Sequence, residues 1–349
     1  MRLFLHKYEF YTRSSFILFG GLISLVTALY PSTAISASLL QTSNPNRNAV
    51  IKPKNLEIPK NLEILEISLE TRKKIEKQII AQYVGRSAED FLNEGLQLIQ
   101  TQQVPQAIQA FRKATELNPD LAPAQYNLGL ALRQSGQLQP AATAFYNAIQ
   151  ADPKFALAYA NLGGALLEGG NFTQANSFLQ KALEVNPKEG IAHYNLGLLY
   201  KQQRDCKRAI SAFRKAMEYS KKAPEPAYHT GLCYLQQGRK RRARNYFRRA
   251  IKINPQYAEA HYSMGSMLFD QGKLEDALKA FRKSAEANNN YADAYYGAGM
   301  VFMRLNQYPQ AAQVLRYARD LYATNGNNQW AQRAGQLLEQ IQTNNYQRR

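Results

Sequence analysis

The sequence predicts an all-α solenoid of stacked helix pairs, and three observations carry that prediction. Glycine recurs every 34 residues at Gly95, Gly129, Gly163, Gly197, Gly231, Gly265 and Gly299, with no insertion or deletion. Alanine stands twelve residues after each glycine (Ala107, Ala141, Ala175, Ala209, Ala243, Ala277 and Ala311), and a large apolar residue follows four later (Phe111, Phe145, Leu179, Phe213, Phe247, Phe281 and Leu315). Between these columns apolar residues fall at i, i+3, i+4 and i+7, the period of an amphipathic helix. A fixed period of this length marks units that cannot bury their apolar faces alone and therefore stack on their neighbours.

Residues 1–34 read as an export signal. Arg2, Lys7 and Arg13 give a basic start, Phe16 to Tyr30 form an apolar stretch of 15 residues, and Ser32-Thr33-Ala34 is a small-residue cleavage pattern. That stretch is shorter than the about 20 residues a helix needs to span a bilayer, so a cleaved signal is favoured over an uncleaved membrane anchor. The expected location is periplasmic, lumenal or extracellular. Residues 35–67 read as a flexible linker, since Ser43 to Pro53 is rich in Asn, Pro and basic residues. Over 68–87, Ile75, Ile79, Ile80 and Tyr83 predict a short amphipathic helix that caps the first unit or meets a partner or a second copy of the chain.

Seven units follow, at 88–121, 122–155, 156–189, 190–223, 224–257, 258–291 and 292–325. Each reads as two antiparallel helices joined by a short turn. Ser87 with Asp90 gives a capping-box-like start to the first helix. Pro119, Pro153, Pro187 and Pro255 mark where second helices stop, because proline removes a donor and clashes with the preceding turn. Glycine inside a helix costs about 1 kcal/mol relative to alanine, so its sevenfold use needs a compensating close approach of the two helices. A third small column, Ala114, Ala148, Ala182, Ala216, Ala250, Ser284 and Ala318, lets the next unit approach as closely. After the last unit, Asn325-Gly326-Asn327-Asn328 is a turn, and Trp330, Ala334, Leu337, Leu338 and Ile341 predict a capping helix within 326–349.

These columns resemble the tetratricopeptide repeat family, as in QYNLGLALRQSGQLQPAATAFYNAIQADP from Gln125 to Pro153. The resemblance implies a right-handed superhelix whose first helices line a concave groove and whose second helices form the outer wall. It implies an interaction scaffold that binds a protein or peptide and has no activity of its own. The family's closing proline is missing at Lys221, Asn289 and Ala323, and Lys221-Lys222-Ala223-Pro224 predicts an altered junction between units four and five.

In the family, asparagines two residues before the glycine can face the groove and hydrogen-bond a peptide backbone. Here that column holds Asn93, Asn127, Asn161 and Asn195, then His229, Ser263 and Gly297. An amide offers donor and acceptor together and so pairs with extended backbone of any sequence. One residue earlier stand Tyr126, Tyr194, Tyr228, Tyr262 and Tyr296, whose rings combine apolar surface with a hydroxyl. Such asparagines are also common in ordinary members of the family, and packing between units explains part of the tyrosine column equally well. The bases that a carboxylate clamp needs beside the asparagines are missing.

The formal net charge is +18, and it is concentrated: Lys201 to Lys252 hold 16 Lys or Arg against Asp205, Glu218 and Glu225. Lys207, Arg208, Arg214 and Lys215 in unit four match Arg241, Arg242, Arg248 and Arg249 in unit five, all off the core columns and so on the outer wall. One reading is a solvated face that keeps the protein soluble. The other is a dock for an anionic membrane surface, an acidic polysaccharide or an acidic partner. The export signal and the lack of any nucleic-acid-binding module argue against nucleic acid.

No nucleophile, phosphate-cradling or metal motif occurs, and no segment outside the units is long enough for a catalytic domain. No cofactor or metal is expected. His193 and His261 fall in a packing column and read as core residues. Cys206 and Cys233 lie on elements expected to pack side by side; they read as separate thiols, with a disulfide as the alternative. Oligomeric state is not set by the sequence.

Overall fold

The computed structural model describes residues 85–347, and every 34-residue window in that range folds as two antiparallel helices. The pairs are α1 (Ala88–Gln100) with α2 (Val104–Leu117), α3 (Ala122–Gln134) with α4 (Leu138–Ala151), and α5 (Ala156–Glu168) with α6 (Phe172–Val185). They continue with α7 (Gly190–Gln202) and α8 (Cys206–Tyr219), α9 (Glu225–Gln236) and α10 (Lys240–Ile253), α11 (Ala258–Asp270) and α12 (Leu274–Ala287), and α13 (Ala292–Arg304) and α14 (Tyr308–Thr324). A last helix, α15 (Asn328–Gln347), follows. There is no strand among the described residues. The export signal at 1–34, the linker at 35–67 and all but the last three residues of the helix expected over 68–87 lie outside them.

Local chemistry sets the helix ends. At the first helix, Ser87 Oγ accepts from the Asp90 amide at 3.1 Å while Asp90 Oδ2 accepts from the Ser87 amide at 2.8 Å, the reciprocal pairing of a capping box. Four second helices end two residues before a proline, and Asn118, Asp152, Asn186 and Asn254 take the extended backbone that a residue preceding proline favours; Asn288 adopts the same conformation with no proline after it. The turn inside each repeat passes through a left-handed residue. It is Gly136, Gly170, Gly238 or Gly272 in four repeats, but Gln102, Arg204 and Asn306 in the others, with φ near +60°.

The glycine column works through its neighbour's ring more than through the alanine opposite. A Cβ built on Gly265 would stand 2.8 Å from the Phe281 ring, and one on Gly163 would stand 2.6 Å from Leu179 Cγ. Those Phe and Leu residues are fully or almost fully buried, so each glycine is the socket for its repeat's largest core side chain. The apolar clusters run as a series along the molecule instead of merging into one centre, as expected when each repeat touches only its neighbours.

First helices of successive repeats also touch one another, at α1·α3, α3·α5, α5·α7, α7·α9 and α11·α13, whereas no pair of successive second helices approaches as closely. The first helices therefore line the tighter, inner side of the curve. The junction between repeats four and five is altered as the missing proline predicts: α9 begins one residue late and has 12 residues against 13 in the other first helices. At the far end α15 packs on α14, burying Ala334, Leu338 and Ile341. The Trp330 ring meets Tyr296 edge-on at 5.3 Å. Among the described residues no helix is long and apolar enough to cross a membrane.

Candidate functional site

Two surfaces carry the residues that the sequence singles out, and the inner one divides along its length. In repeats 2 to 4 the second position of each repeat is apolar: Pro123, Leu157 and Ile191. The asparagines of this stretch lie on the inner helices but under cover, with 6, 4 and 2% exposure at Asn127, Asn161 and Asn195. Each amide group already donates a hydrogen bond within the protein. Asn127 Nδ2 donates to Pro123 O at 2.8 Å, Asn195 Nδ2 to Ala160 O on the preceding first helix at 3.0 Å, and Asn161 Nδ2 to Leu157 O at 3.0 Å and the Tyr126 hydroxyl at 3.2 Å. Asn93 alone of the four is exposed. The sequence expects an open ladder of amides; the structure engages three of its four members, Asn161 and Asn195 across helices and Asn127 within its own helix.

An ion pair closes the same stretch. Arg133 on α3 donates from Nε to Glu168 Oε1 on α5 at 2.8 Å and from Nη1 to Asn161 Oδ1 at 3.1 Å. The two side chains are only 17% and 9% exposed. Gly164 leaves the room: a Cβ there would stand 2.9 Å from Asn195 Nδ2 and 3.3 Å from the Arg133 guanidinium. Neither Arg133 nor Glu168 stands out in the sequence. Their only signal is a separation of 35 residues, one repeat plus one residue, which the Tyr126–Asn161 and Ala160–Asn195 bonds share.

Repeats 5 to 7 replace these residues. The second position becomes Glu225, Glu259 and Asp293, and the asparagine column becomes His229, Ser263 and Gly297. None of the three acids has a Lys or Arg partner among the described residues. Asp293 accepts from the Tyr322 hydroxyl. Burial pushes the Glu225 carboxyl up to about 7, with the nearby Glu259 charge adding to it, and burial raises Glu259 and Asp293 as well. Burial holds the His229 imidazole well below the ordinary range, helped by the Lys201 charge, so the ring is neutral. Three buried polar atoms here have no hydrogen-bond partner: Glu225 Oε2, His229 Nδ1 and Ser263 Oγ.

The tyrosine column runs through both stretches. Tyr126 and Tyr194 are buried, while Tyr228, Tyr262 and Tyr296 are half-buried. Aromatic contacts accompany the whole column: Tyr126 meets Phe155 at 4.8 Å, Tyr228 meets Tyr257 at 5.4 Å and Tyr262 meets Tyr291 at 5.6 Å, the last two edge to face. The histidines of the packing column behave as core residues. His193 Nε2 donates to Pro187 O at 3.0 Å and His261 Nε2 to Pro255 O at 2.8 Å, and both rings are buried.

On the outer wall, Lys207, Arg208, Arg214 and Lys215 of α8 and Arg241, Arg242, Arg248 and Arg249 of α10 are all exposed. Arg208 also pairs with Asp205 at 2.6 Å and lies over the Tyr200 ring. Cys206 and Cys233 are buried free thiols in one apolar cluster, and Cys206 Sγ donates to Gln236 Oε1 at 3.1 Å. Burial, followed by the hydrogen bond with Cys206, pushes the Cys233 thiol well up, which makes it a poor nucleophile. Among the described residues no group of three His, Cys, Asp or Glu could hold a metal ion.

Family models match along the described helices. Residues 95–133 and 265–306 match the model described as TPR repeat, residues 132–198 that described as Tetratricopeptide repeat, and residues 202–284 that of Anaphase-promoting complex, cyclosome, subunit 3. No curated protein matches the chain. Among solved structures it is similar to the APC/C hetero-tetramer Cut9-Hcn1, with a TM-score of 0.57 and 17% identity over 67% of this chain and 46% of that one. The chain thus spans less than half the length of that neighbour. It is similar to a tetratricopeptide repeat protein from Parabacteroides merdae, with a TM-score of 0.54 and 20% identity over 72% of this chain and 99% of that one. It is similar also to pilF of Pseudomonas aeruginosa, with a TM-score of 0.50 and 20% identity over 59% and 94% of the two chains. With seven helix pairs in one 34-residue register, a glycine socket in each pair and these matches along their length, the chain belongs to the tetratricopeptide repeat family.

Proposed function

We propose that the protein is an exported, non-catalytic scaffold that binds a protein or peptide segment along its inner side. The repeat fold is that of a protein-interaction scaffold. The observation that carries the groove reading is the line of half-buried rings at Tyr228, Tyr262 and Tyr296 on the inner helices, which offer apolar faces and hydroxyls at small entropic cost. The asparagine column contributes less than its pattern promises, because a bound peptide would have to take the Asn127, Asn161 and Asn195 amides from partners they already hold.

Peptides selected by display against the full chain test this reading. Binding that falls when Tyr228, Tyr262 and Tyr296 are each changed to Ala supports the groove. A second reading rests on the eight exposed bases of α8 and α10: an adaptor that docks on an anionic membrane surface, an acidic polysaccharide or an acidic partner. Binding that ignores the tyrosine changes, falls steeply with salt and is lost with Arg241→Ala and Arg242→Ala would favour that outer wall. Export itself rests on residues 1–34, and the mass of the mature N-terminus tests it: a chain still beginning at Met1 in the cell rejects cleavage.

A further inference from the structure

We propose that the inner strip of repeats 5 and 6 selects a basic, extended peptide segment and seats one Lys or Arg side chain at Glu225 and another at Glu259. This rests on the groove reading above and specifies its ligand. The two acids occupy one register position in successive repeats, and neither has a cationic partner among the described residues. The Glu259 charge reaches Glu225. A carboxylate left unpaired in a half-buried strip is costly, and an incoming ammonium or guanidinium removes that cost with a charge-assisted hydrogen bond.

The surroundings of the acids fit a cation and a peptide backbone together. Tyr257 and Tyr291, each edge to face with a tyrosine of the inner column, lie within electrostatic reach of Glu259. Aromatic faces and a carboxylate attract the same cationic group. One helical turn past each acid, on the same face, stands a polar side chain with an unsatisfied buried atom: His229 Nδ1 after Glu225, and Ser263 Oγ after Glu259. Ser263 is only 3% exposed. Folded proteins leave few such atoms unpaired, and Glu225 Oε2 adds a third in the same strip. The amide donors and carbonyls of an extended peptide supply what the hydroxyl and imidazole lack, while its basic side chains supply the carboxylates.

The +18 net charge does not forbid a basic ligand. The eight bases of α8 and α10 stand on the outer wall, across two helix layers of about 10 Å each, which exceeds the about 8 Å screening length at physiological salt; Lys201 of α7 is an inner-helix base whose charge reaches the His229 ring. An acidic peptide would face the bare carboxylates, and a neutral one would leave them unpaired.

The test is titration calorimetry of the full chain with a synthetic peptide of alternating Lys and Thr. About 12 residues, at about 3.4 Å each, run past both repeats. Counterparts with Asn or Glu in place of Lys complete the set. The Lys peptide should bind at about 0.15 M salt, its counterparts at least ~10-fold more weakly, and Glu225→Gln and Glu259→Gln should each weaken it by ~10-fold, one lost charge-assisted contact apiece. Arg241→Ala should leave it unchanged. Equal binding of the Lys and Asn peptides overturns the proposal but leaves the groove reading standing. Binding of none of the peptides overturns the proposal, and a failed display selection against the full chain would remove the groove reading with it. Lys-peptide binding that survives both glutamate changes, in variants whose circular dichroism and melting show them folded, overturns it too. Self-association of the chain that disappears in the same variants would place a second copy in the groove and also overturn it.

Discussion

Repeats 2 to 4 and repeats 5 to 7 share one scaffold and use its inner face in opposite ways. In the first stretch the polar side chains pair with each other across repeats: Arg133 with Glu168 and Asn161, Asn161 with Tyr126, Asn195 with the Ala160 carbonyl. In the second, Glu225, His229 and Ser263 are left with buried atoms that nothing among the described residues satisfies. A repeat's framework columns and its inner-face columns are therefore under separate control. The glycine sockets are the same in both stretches, so architecture does not depend on which way the polar groups are used.

The largest test of that contrast is Arg133→Ala. It leaves Glu168 buried without its cation and should lower stability by about 3 kcal/mol, the low end for a broken buried pair because the arginine is partly exposed. The midpoint of chemical unfolding measures it, and a loss no larger than that of an exposed Arg248→Ala would break the comparison.

In the second stretch the sign reverses. The Glu225 carboxyl titrates near 7 in the folded chain, above an ordinary glutamate, because of burial first and the Glu259 charge after it. The folded state therefore holds this proton more tightly than the unfolded state, so its contribution to stability is full below the unfolded value and is lost as pH rises towards 7. Glu225→Gln should accordingly stabilise by about 2 kcal/mol above pH 7, a figure reduced for partial exposure, with the gain vanishing towards the pH where an unfolded glutamate titrates. Thermal melts of both proteins across that range decide; a gain that is constant with pH rejects the buried carboxyl as its cause. If the same change weakens the Lys peptide, stability and binding draw on the same group in opposite directions.

A finer comparison uses one column. Asn161→Ala removes three hydrogen bonds in a covered site and should cost about 1 to 2 kcal/mol. Ser263→Ala removes an oxygen that makes none and should be neutral or stabilise by up to about 1 kcal/mol. Equal losses at the two positions in denaturant titrations would erase the distinction between the halves.

The helical pairs were legible because their causes are local. Glycine, alanine and phenylalanine columns, a proline stop and the Ser87–Asp90 cap act within a repeat or across one turn, and the altered start of α9 follows from Pro224 and the absent proline before it. The left-handed turn residues were less so. Gln102 and Arg204 carry no mark of a positive φ, and only Asn306 and the glycines in the other repeats, residue types that tolerate it, reveal that the position needs one. The candidate site was half legible: its tyrosine column lies on the inner helices as read, but the asparagine column looks the same whether its amides face a ligand or a neighbour.

By itself, then, the sequence determined the period, the helix pairing and the basic charge on the second helices of repeats 4 and 5, since each depends on residues close in the chain or on their repetition. Packing between repeats is what brings Arg133 to Glu168, spends Asn195 on Ala160 and leaves Glu225 Oε2 without a partner among the described residues. Those outcomes depend on how far one first helix is displaced and turned against the next. That displacement is a property of the packed seam, which brings residues 35 apart into hydrogen-bond range, and no window of sequence contains it.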